Sequence, residues 1–389
     1  MSTAALPPTP KSPSVGARRK GPKALPKLPM SAFTPPNTGT SDKFPLAPSP
    51  SSLQPTEVID AHVIAPNGDL SSWKSQVGQN LGGRLRGVVL SLHGVQPVEV
   101  EKIVLLLVFA CGSAPQIAYA PLHSSSVQAS ASNSSTPVLA IAVPFALEDG
   151  VPSSPPSYIA NAGSSKPSIV LSTTFKTPSP AAIEALAWAL TQGYTVNIDV
   201  QCDLQHESSW EALEDLLTKA TTSSESSKGK IILSNLLPPP DSLALPIVKL
   251  LTHELYRSYQ SHTASLSLFA NLFINFLPPA WGAPTPPTPP PPPADANEEE
   301  KEKAARLESK ESKEWKRRIK MYIGHAVEAF GFQRILFGSS PAAPLTASTP
   351  ASNAGHWYEL ARESFAELGI EQEAIDAVFA QNAQNVYGS

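Results

Sequence analysis

The sequence predicts an α/β protein built as a (β/α)8 TIM barrel, one parallel sheet closed on itself with helices outside. From about residue 56 onward, short runs rich in β-branched residues alternate with amphipathic helical patterns, as a parallel sheet requires. The length agrees, because one such barrel takes about 250 residues and a chain of 389 residues leaves room for tails and insertions. An open doubly-wound sheet is the alternative that alternation alone does not exclude.

Taken in order, residues 1–55 are Pro, Ser, Thr and Lys with almost no core-forming side chains. Such a segment cannot offset the entropy of ordering itself, so a disordered, basic arm is expected. Its opening MSTAALPPTPKSPSV lacks the apolar stretch of ~7–15 residues that a secretory signal needs. Nine candidate strands follow: VIDAHV (58–63), GVVLSLH (87–93), QIAYAP (116–121), VLAIAVPF (138–145), SIVLSTTF (168–175), TVNIDVQ (195–201), KIILSN (230–235), LFINFL (272–277) and RILFGS (334–339). A barrel has eight places, so one candidate is misread or lies outside it. Between strands, Ser179 and Pro180 open a helix that Gly193 closes, and Ser208 with Glu211 reads as a capping box for another. After Trp281 comes GAPTPPTPPPPPADANEEEKEK, a polyproline II spacer running into charge. The domain division is therefore an arm over 1–55 and a barrel over 56–389, with a Pro-rich and charged insertion over 283–313. Beyond it, Trp315, Ile319, Ile323, Val327 and Phe330 form one helical face fit to dock on the barrel.

Composition limits function. The net charge of −4 gives no global basis for binding nucleic acid or an acidic membrane. The longest apolar run, Ile103–Cys111, falls far short of the ~20 residues that span a bilayer. Two cysteines, Cys111 and Cys202, without Cys-x-x-Cys spacing point to no disulfide framework and to a reducing, cytoplasmic setting. No Walker loop and no G-x-G-x-x-G follows a strand, which removes NTPase and dinucleotide chemistry. The 42 prolines, clustered in the arm and insertion, suit SH3- or WW-type partners.

Three places carry a family resemblance. VIDAHVIAP presents Asp60, His62 and Ile64, RILFGSS presents Gly338, Ser339 and Ser340, and FAQNAQNVYG presents Phe379, Asn382, Ala383, Tyr387 and Gly388. In this order they resemble the amidohydrolase-related branch of the amidohydrolase superfamily, which includes lactonases and decarboxylases. That family's first strand reads Asp-x-His-x-His, its last strand ends Gly-Ser-Asp, and its C-terminus carries Asn-Ala and Tyr-Gly. KIILSNLLPPP is a weaker fourth match, with Asn235 where the family has a histidine.

The resemblance implies a barrel, a zinc or other divalent metal, and a small carboxylated or lactone substrate. The departures imply lost chemistry. A catalytic zinc takes about three protein ligands, and the matching positions give His62, Ile64, Asn235 and Ser340, of which only His62 is retained. No cofactor is therefore expected, and weak, altered or absent hydrolysis competes with a non-catalytic, ligand-binding barrel. The expected pocket comprises Asp60, His62, His93, Asp199, Asn235 and Ser340. A rebuilt metal set of His62, His93, Asp199 or Asp203, and His206 is the sharper alternative; helix capping and loop hydrogen bonding are the ordinary roles for those residues. His253 and His262 are spaced as solvated or packed histidines. Arg84, Arg86 and Arg257 can hold a substrate carboxylate or pair with surface acids.

Overall fold

The computed structural model describes residues 53–112, 136–160, 167–222, 229–288, 310–342 and 352–388. Eight strands form one sheet in sequence order: β1 (Val58–Ile64), β2 (Leu85–Ser91), β3 (Val138–Pro144), β4 (Ser168–Phe175), β5 (Val196–Val200), β6 (Ile231–Leu237), β7 (Leu272–Phe276) and β8 (Ile335–Phe337). Every neighbouring pair is parallel. These are eight of the nine sequence candidates; the ninth, QIAYAP, lies outside the described residues, as do residues 1–52 and most of the proline-rich insertion.

Two short helices, α1 (Ser71–Gln76) and α2 (Gly78–Gly82), follow β1. Then come α3 (Pro97–Gly112) after β2, α4 (Ser157–Ala160) after β3, α5 (Pro180–Thr191) after β4 and α6 (Glu207–Thr222) after β5. The pair α7 (Ile247–Leu250) and α8 (Glu254–Leu266) follows β6, and α9 (Lys310–Phe330) follows β7. After β8 come α10 (Ala354–Ala366), α11 (Gln372–Asp376), a π-turn over Ala377–Gln381 and α12 (Asn382–Tyr387).

Helix α5 starts as its sequence dictates: the Ser179 side chain accepts from Ala182 N at 3.1 Å, and Gly193 takes the left-handed turn at φ 82°. The capping box at Ser208 is a misreading. Helix α6 already begins at Glu207, so Ser208 and Glu211 lie within it, and Asp203 Oδ1 accepts from Gln205 N in the preceding turn. The apolar stripe of α9 buries Trp315, Ile319, Ile323 and Phe330. On the same helix the fully buried Arg318 pairs with Asp241 at 2.6 Å.

Two apolar clusters divide the core. The larger lies between strands and helices. The smaller joins Ile59, Ala61, Val89, Ala140, Ala142, Val170, Ile232 and Leu336 to Ala380, Ala383, Val386 and Tyr387, with no residue from α1 to α10. It is the barrel interior, plugged by the C-terminal segment. The C-terminal motif holds this plug in place. Asn382 Nδ2 donates to Phe332 O at 2.6 Å and Ile335 O at 2.8 Å, and Tyr387 Oη donates to Asn197 Oδ1 at 3.3 Å. Lys230, just before β6, donates to Asn385 O at 2.7 Å, which puts the plug at the N-terminal end of the strands. The opposite, C-terminal end is left for the mouth, where barrels of this kind carry their sites.

Candidate functional site

Side-chain alternation sends the inner-facing residues of β2 and of β4 to β7 toward that mouth. Thr174 stands beside Asp199, and Asp199 beside Ser234, in the parallel register. Asn275 Nδ2 donates to Ser234 Oγ at 2.9 Å, leaving Asn275 Oδ1 buried without a partner. The upper interior is therefore polar, and Ser91, Ser172, Asp199, Ser234 and Asn275 are all buried.

Strands β1 and β8 meet differently. Ser340 N donates to His62 O at 3.0 Å, and His62 Nδ1 lies 3.1 Å from Ser340 O. Ser340 Oγ accepts from Ile64 N at 3.1 Å. Asp60 Oδ1 accepts from His62 N at 3.1 Å and Ser339 N at 2.9 Å. Trp73 of α1 and Trp357 of α10 donate their indole N–H groups to Ser339 Oγ and Gly338 O at 2.8 and 3.0 Å. Gly338 is required by this closeness, since a Cβ there would sit 2.7 Å from His62 Cβ and 2.6 Å from Leu277 Cδ2. The residues that resemble a metal site thus stitch the barrel seam.

Electrostatics follow from burial. Desolvation pushes the Asp60 carboxyl up to about 7, against the hydrogen bonds from Ser339 and His62 that lower it. Its Oδ2 is buried with no partner among the described residues, consistent with a neutral acid. Burial pulls His62 down to about 4; the Ser340 carbonyl opposes this and His93 adds to it. A neutral His62 facing a carbonyl must carry its proton on Nδ1, which leaves Nε2 as the bare nitrogen.

A divalent metal does not fit these residues. Asn235 uses its amide nitrogen on Val200 O at 2.8 Å, Ser340 Oγ is engaged by Ile64, and Ile64 has no donor atom. No group of three or more His, Cys, Asp or Glu side chains among the described residues is arranged to hold a metal ion. The alternative set does not assemble either: Asp203 and His206 pair with each other at 3.5 Å, both exposed, ahead of α6.

Other sequence candidates take ordinary roles. His253 caps α8, its Nδ1 accepting from Leu255 N at 3.3 Å. His262 lies between Glu214 and Glu207 at 2.7 and 2.8 Å and stacks on Trp210. Arg84 and Arg86 stand at the start of β2, at the end of the barrel opposite the mouth, and Arg86 pairs with Glu57 at 2.6 Å, so neither reaches a substrate there. Arg257 is exposed on α8.

Two cavities open at the mouth among the described residues. One of about 360 Å³ lies beyond β5 and β6, with Asn235 on its wall in a left-handed conformation at φ 66°. The other, of about 670 Å³, lies over the ends of β2, β3 and β4, lined by His93, Ser172, Thr174 and Lys176. His62, Asn235 and Ser340 all belong to the C-terminal end, but Asn235 and His93 open onto different cavities, and His62 and Ser340 line neither. Ser172, Thr174 and Lys176 were missed in the sequence; their signal was the run of polar residues at the end of SIVLSTTFK.

The chain resembles amidohydrolase barrels. An amidohydrolase from Burkholderia multivorans with bound HEPES is 13% identical at TM-score 0.48, covering 85% of this chain and 99% of the other. A 2-pyrone-4,6-dicarboxylic acid hydrolase structure from Pseudomonas putida is 12% identical at TM-score 0.48, covering 86% and 98%. The 5-carboxyvanillate decarboxylase of Sphingomonas paucimobilis is 11% identical at TM-score 0.39, covering 85% and 99%. Likeness at this level says nothing about chemistry, which rests on the chain's own residues. No family model matches the sequence, and no curated protein matches it. No helix of the described residues is long and apolar enough to cross a membrane.

Proposed function

We propose that this protein is an amidohydrolase-like barrel that has exchanged metal-dependent hydrolysis for binding a small organic ligand at its mouth. The observation that carries this reading is the seam. Groups at the positions resembling metal ligands are hydrogen-bonded to backbone: His62 to Ser340 O, Ser340 to Ile64 N and Asn235 to Val200 O. The carboxylate that would activate water in a lactonase is absent at Ser340, and a serine hydroxyl is no base near neutral pH. The cavity over β2 to β4 has the size of a small-molecule pocket, typically ~300–1,000 Å³. In this reading the protein works in the cytoplasm, and the proline-rich segments serve SH3- or WW-type partners.

Metal analysis of protein purified without chelator, followed by melting with zinc or manganese, tests the reading. Substoichiometric metal and no metal-dependent rise in melting temperature are expected. One firmly held equivalent, with loss of stability on chelation, would overturn it. One observation favours a second reading. His93 lines the larger cavity and bears electrostatically on His62, buried at the seam beside it in the strand order. The two imidazoles would support slow, metal-free hydrolysis of a lactone or small carboxylated ester, and turnover that disappears in His93→Gln would establish it.

A further inference from the structure

We infer that the larger mouth cavity takes a small zwitterion, a compound with an anionic group and an ammonium group on a compact apolar body. This rests on the reading of that cavity as the ligand site. Its frame is fixed by backbone. Phe145 N donates to Ser172 O at 2.8 Å, tying the end of β3 to β4, and Gly150 N donates to Leu147 O at 3.1 Å, closing the turn over Leu147–Asp149. Tyr194 Oη donates to Ile159 O at 3.0 Å, anchoring α4 on the far wall. Phe145 is braced by stacking on Trp188, with ring centroids 6.0 Å apart.

On this frame stand charges of both signs that no other side chain neutralises among the described residues. Lys176 follows the end of β4, and Glu148 and Asp149 stand on the turn after β3; all three line the cavity. All three are exposed, and none makes an ion pair or side-chain hydrogen bond among the described residues. The lining also includes the half-buried Phe145, the buried Leu147 and Ile159 behind it, and the hydroxyls of Ser172 and Thr174, which give the ligand body apolar and hydrogen-bonding contacts. A dianion would meet one lysine and two carboxylates, and a simple cation would leave Lys176 facing it. A compound with one charge of each sign finds a partner for each.

Three matched probes test this by calorimetry on the full chain: 4-(aminomethyl)benzoate, 4-methylbenzoate and benzylamine. The zwitterion should bind at least tenfold more tightly than either singly charged probe. Lys176→Gln should remove its advantage over benzylamine, and the pair Glu148→Gln with Asp149→Asn its advantage over 4-methylbenzoate. These side chains are exposed, so the variants should melt as the parent does. Equal affinities for all three probes, or an advantage untouched by both variants, would overturn the charge assignment while leaving the cavity a ligand site. No saturable binding of any probe would overturn the assignment together with the reading of the cavity.

Discussion

Replacing Asp60 by asparagine should stabilise the protein at pH 8 and change little at pH 4. The Asp60 carboxyl is buried completely, its Oδ2 has no partner among the described residues, and burial raises it from 3.8 to about 7. A raised acid acts opposite to the usual ion-paired carboxylate. Below about 4 both folded and unfolded chains hold the proton, and no penalty exists. Between about 4 and 7 the unfolded chain releases the proton while the folded chain keeps it, so stability falls with rising pH. Above 7 both forms are ionised and the penalty is complete. Across that pH range, at ~1.36 kcal/mol for each pH unit, the penalty amounts to about 4 kcal/mol. Asparagine copies the neutral acid: its carbonyl still accepts from His62 N and Ser339 N, and its amide takes the place of the hydroxyl. At about 2 °C per kcal/mol for a domain of this size, Asp60→Asn should melt on the order of 5–10 °C above the parent at pH 8. Differential scanning calorimetry between pH 4 and 8 measures this directly. A variant less stable than the parent by the same amount at every pH would show that Asp60 is a charged acceptor in the fold, and the account of the seam would fail.

Other changes probe the seam and the plug. Ser340→Ala leaves Ile64 N without its acceptor and should cost about 1–3 kcal/mol, read as a lower denaturation midpoint with unchanged slope; an unchanged midpoint would mean that the hydroxyl does not close the seam. Gly338→Ala forces a methyl against His62 and Leu277 and should cost at least as much, about 1–3 kcal/mol; a parent-like melt would refute the close approach. Tyr387→Phe removes one hydrogen bond to Asn197 and should cost about 1 kcal/mol, whereas truncation before Ala377 uncovers the barrel floor and should prevent folding. The triple change Ile64→His, Asn235→His and Ser340→Asp should lower stability without metal and recover it with zinc; no zinc response would mean that the seam no longer permits the ligand geometry.

The strands were legible because parallel strands buried on both faces read as β-branched runs bounded by polar turns, and SIVLSTTF matches β4 residue for residue. The helix over Lys310–Phe330 was legible through its stripe, though nothing local foretold that Arg318 would be wholly buried, since its partner Asp241 lies far back in the chain. Ser208 misled because a serine three residues before a glutamate has the capping pattern wherever it falls, while the Asp203 turn decides where α6 begins. The cavity was the least legible part. Its walls come from the ends of three strands and two turns, and no short motif joins His93, Glu148 and Lys176.

The Asp-x-His run, the Gly-Ser-Ser turn and the Asn-Ala…Tyr-Gly tail remain recognisable for a physical reason that does not involve catalysis. Asp60 holds the backbone of its own strand and of the last one, Gly338 is the residue that lets those strands approach, and Asn382 fixes the turn entering β8 from below. Asp60 and Gly338 close the barrel between its first and last strands, where the sheet would otherwise present two unpaired edges, and Asn382 ties the C-terminal segment to the start of the last one. Ser340 joins the same closure through its hydroxyl, which accepts from Ile64 N, and through its backbone N–H and carbonyl, both paired with His62. Asp60, His62, Gly338 and Ser340 are thus all accounted for by hydrogen bonding and close approach along the seam, with no metal needed to explain their presence.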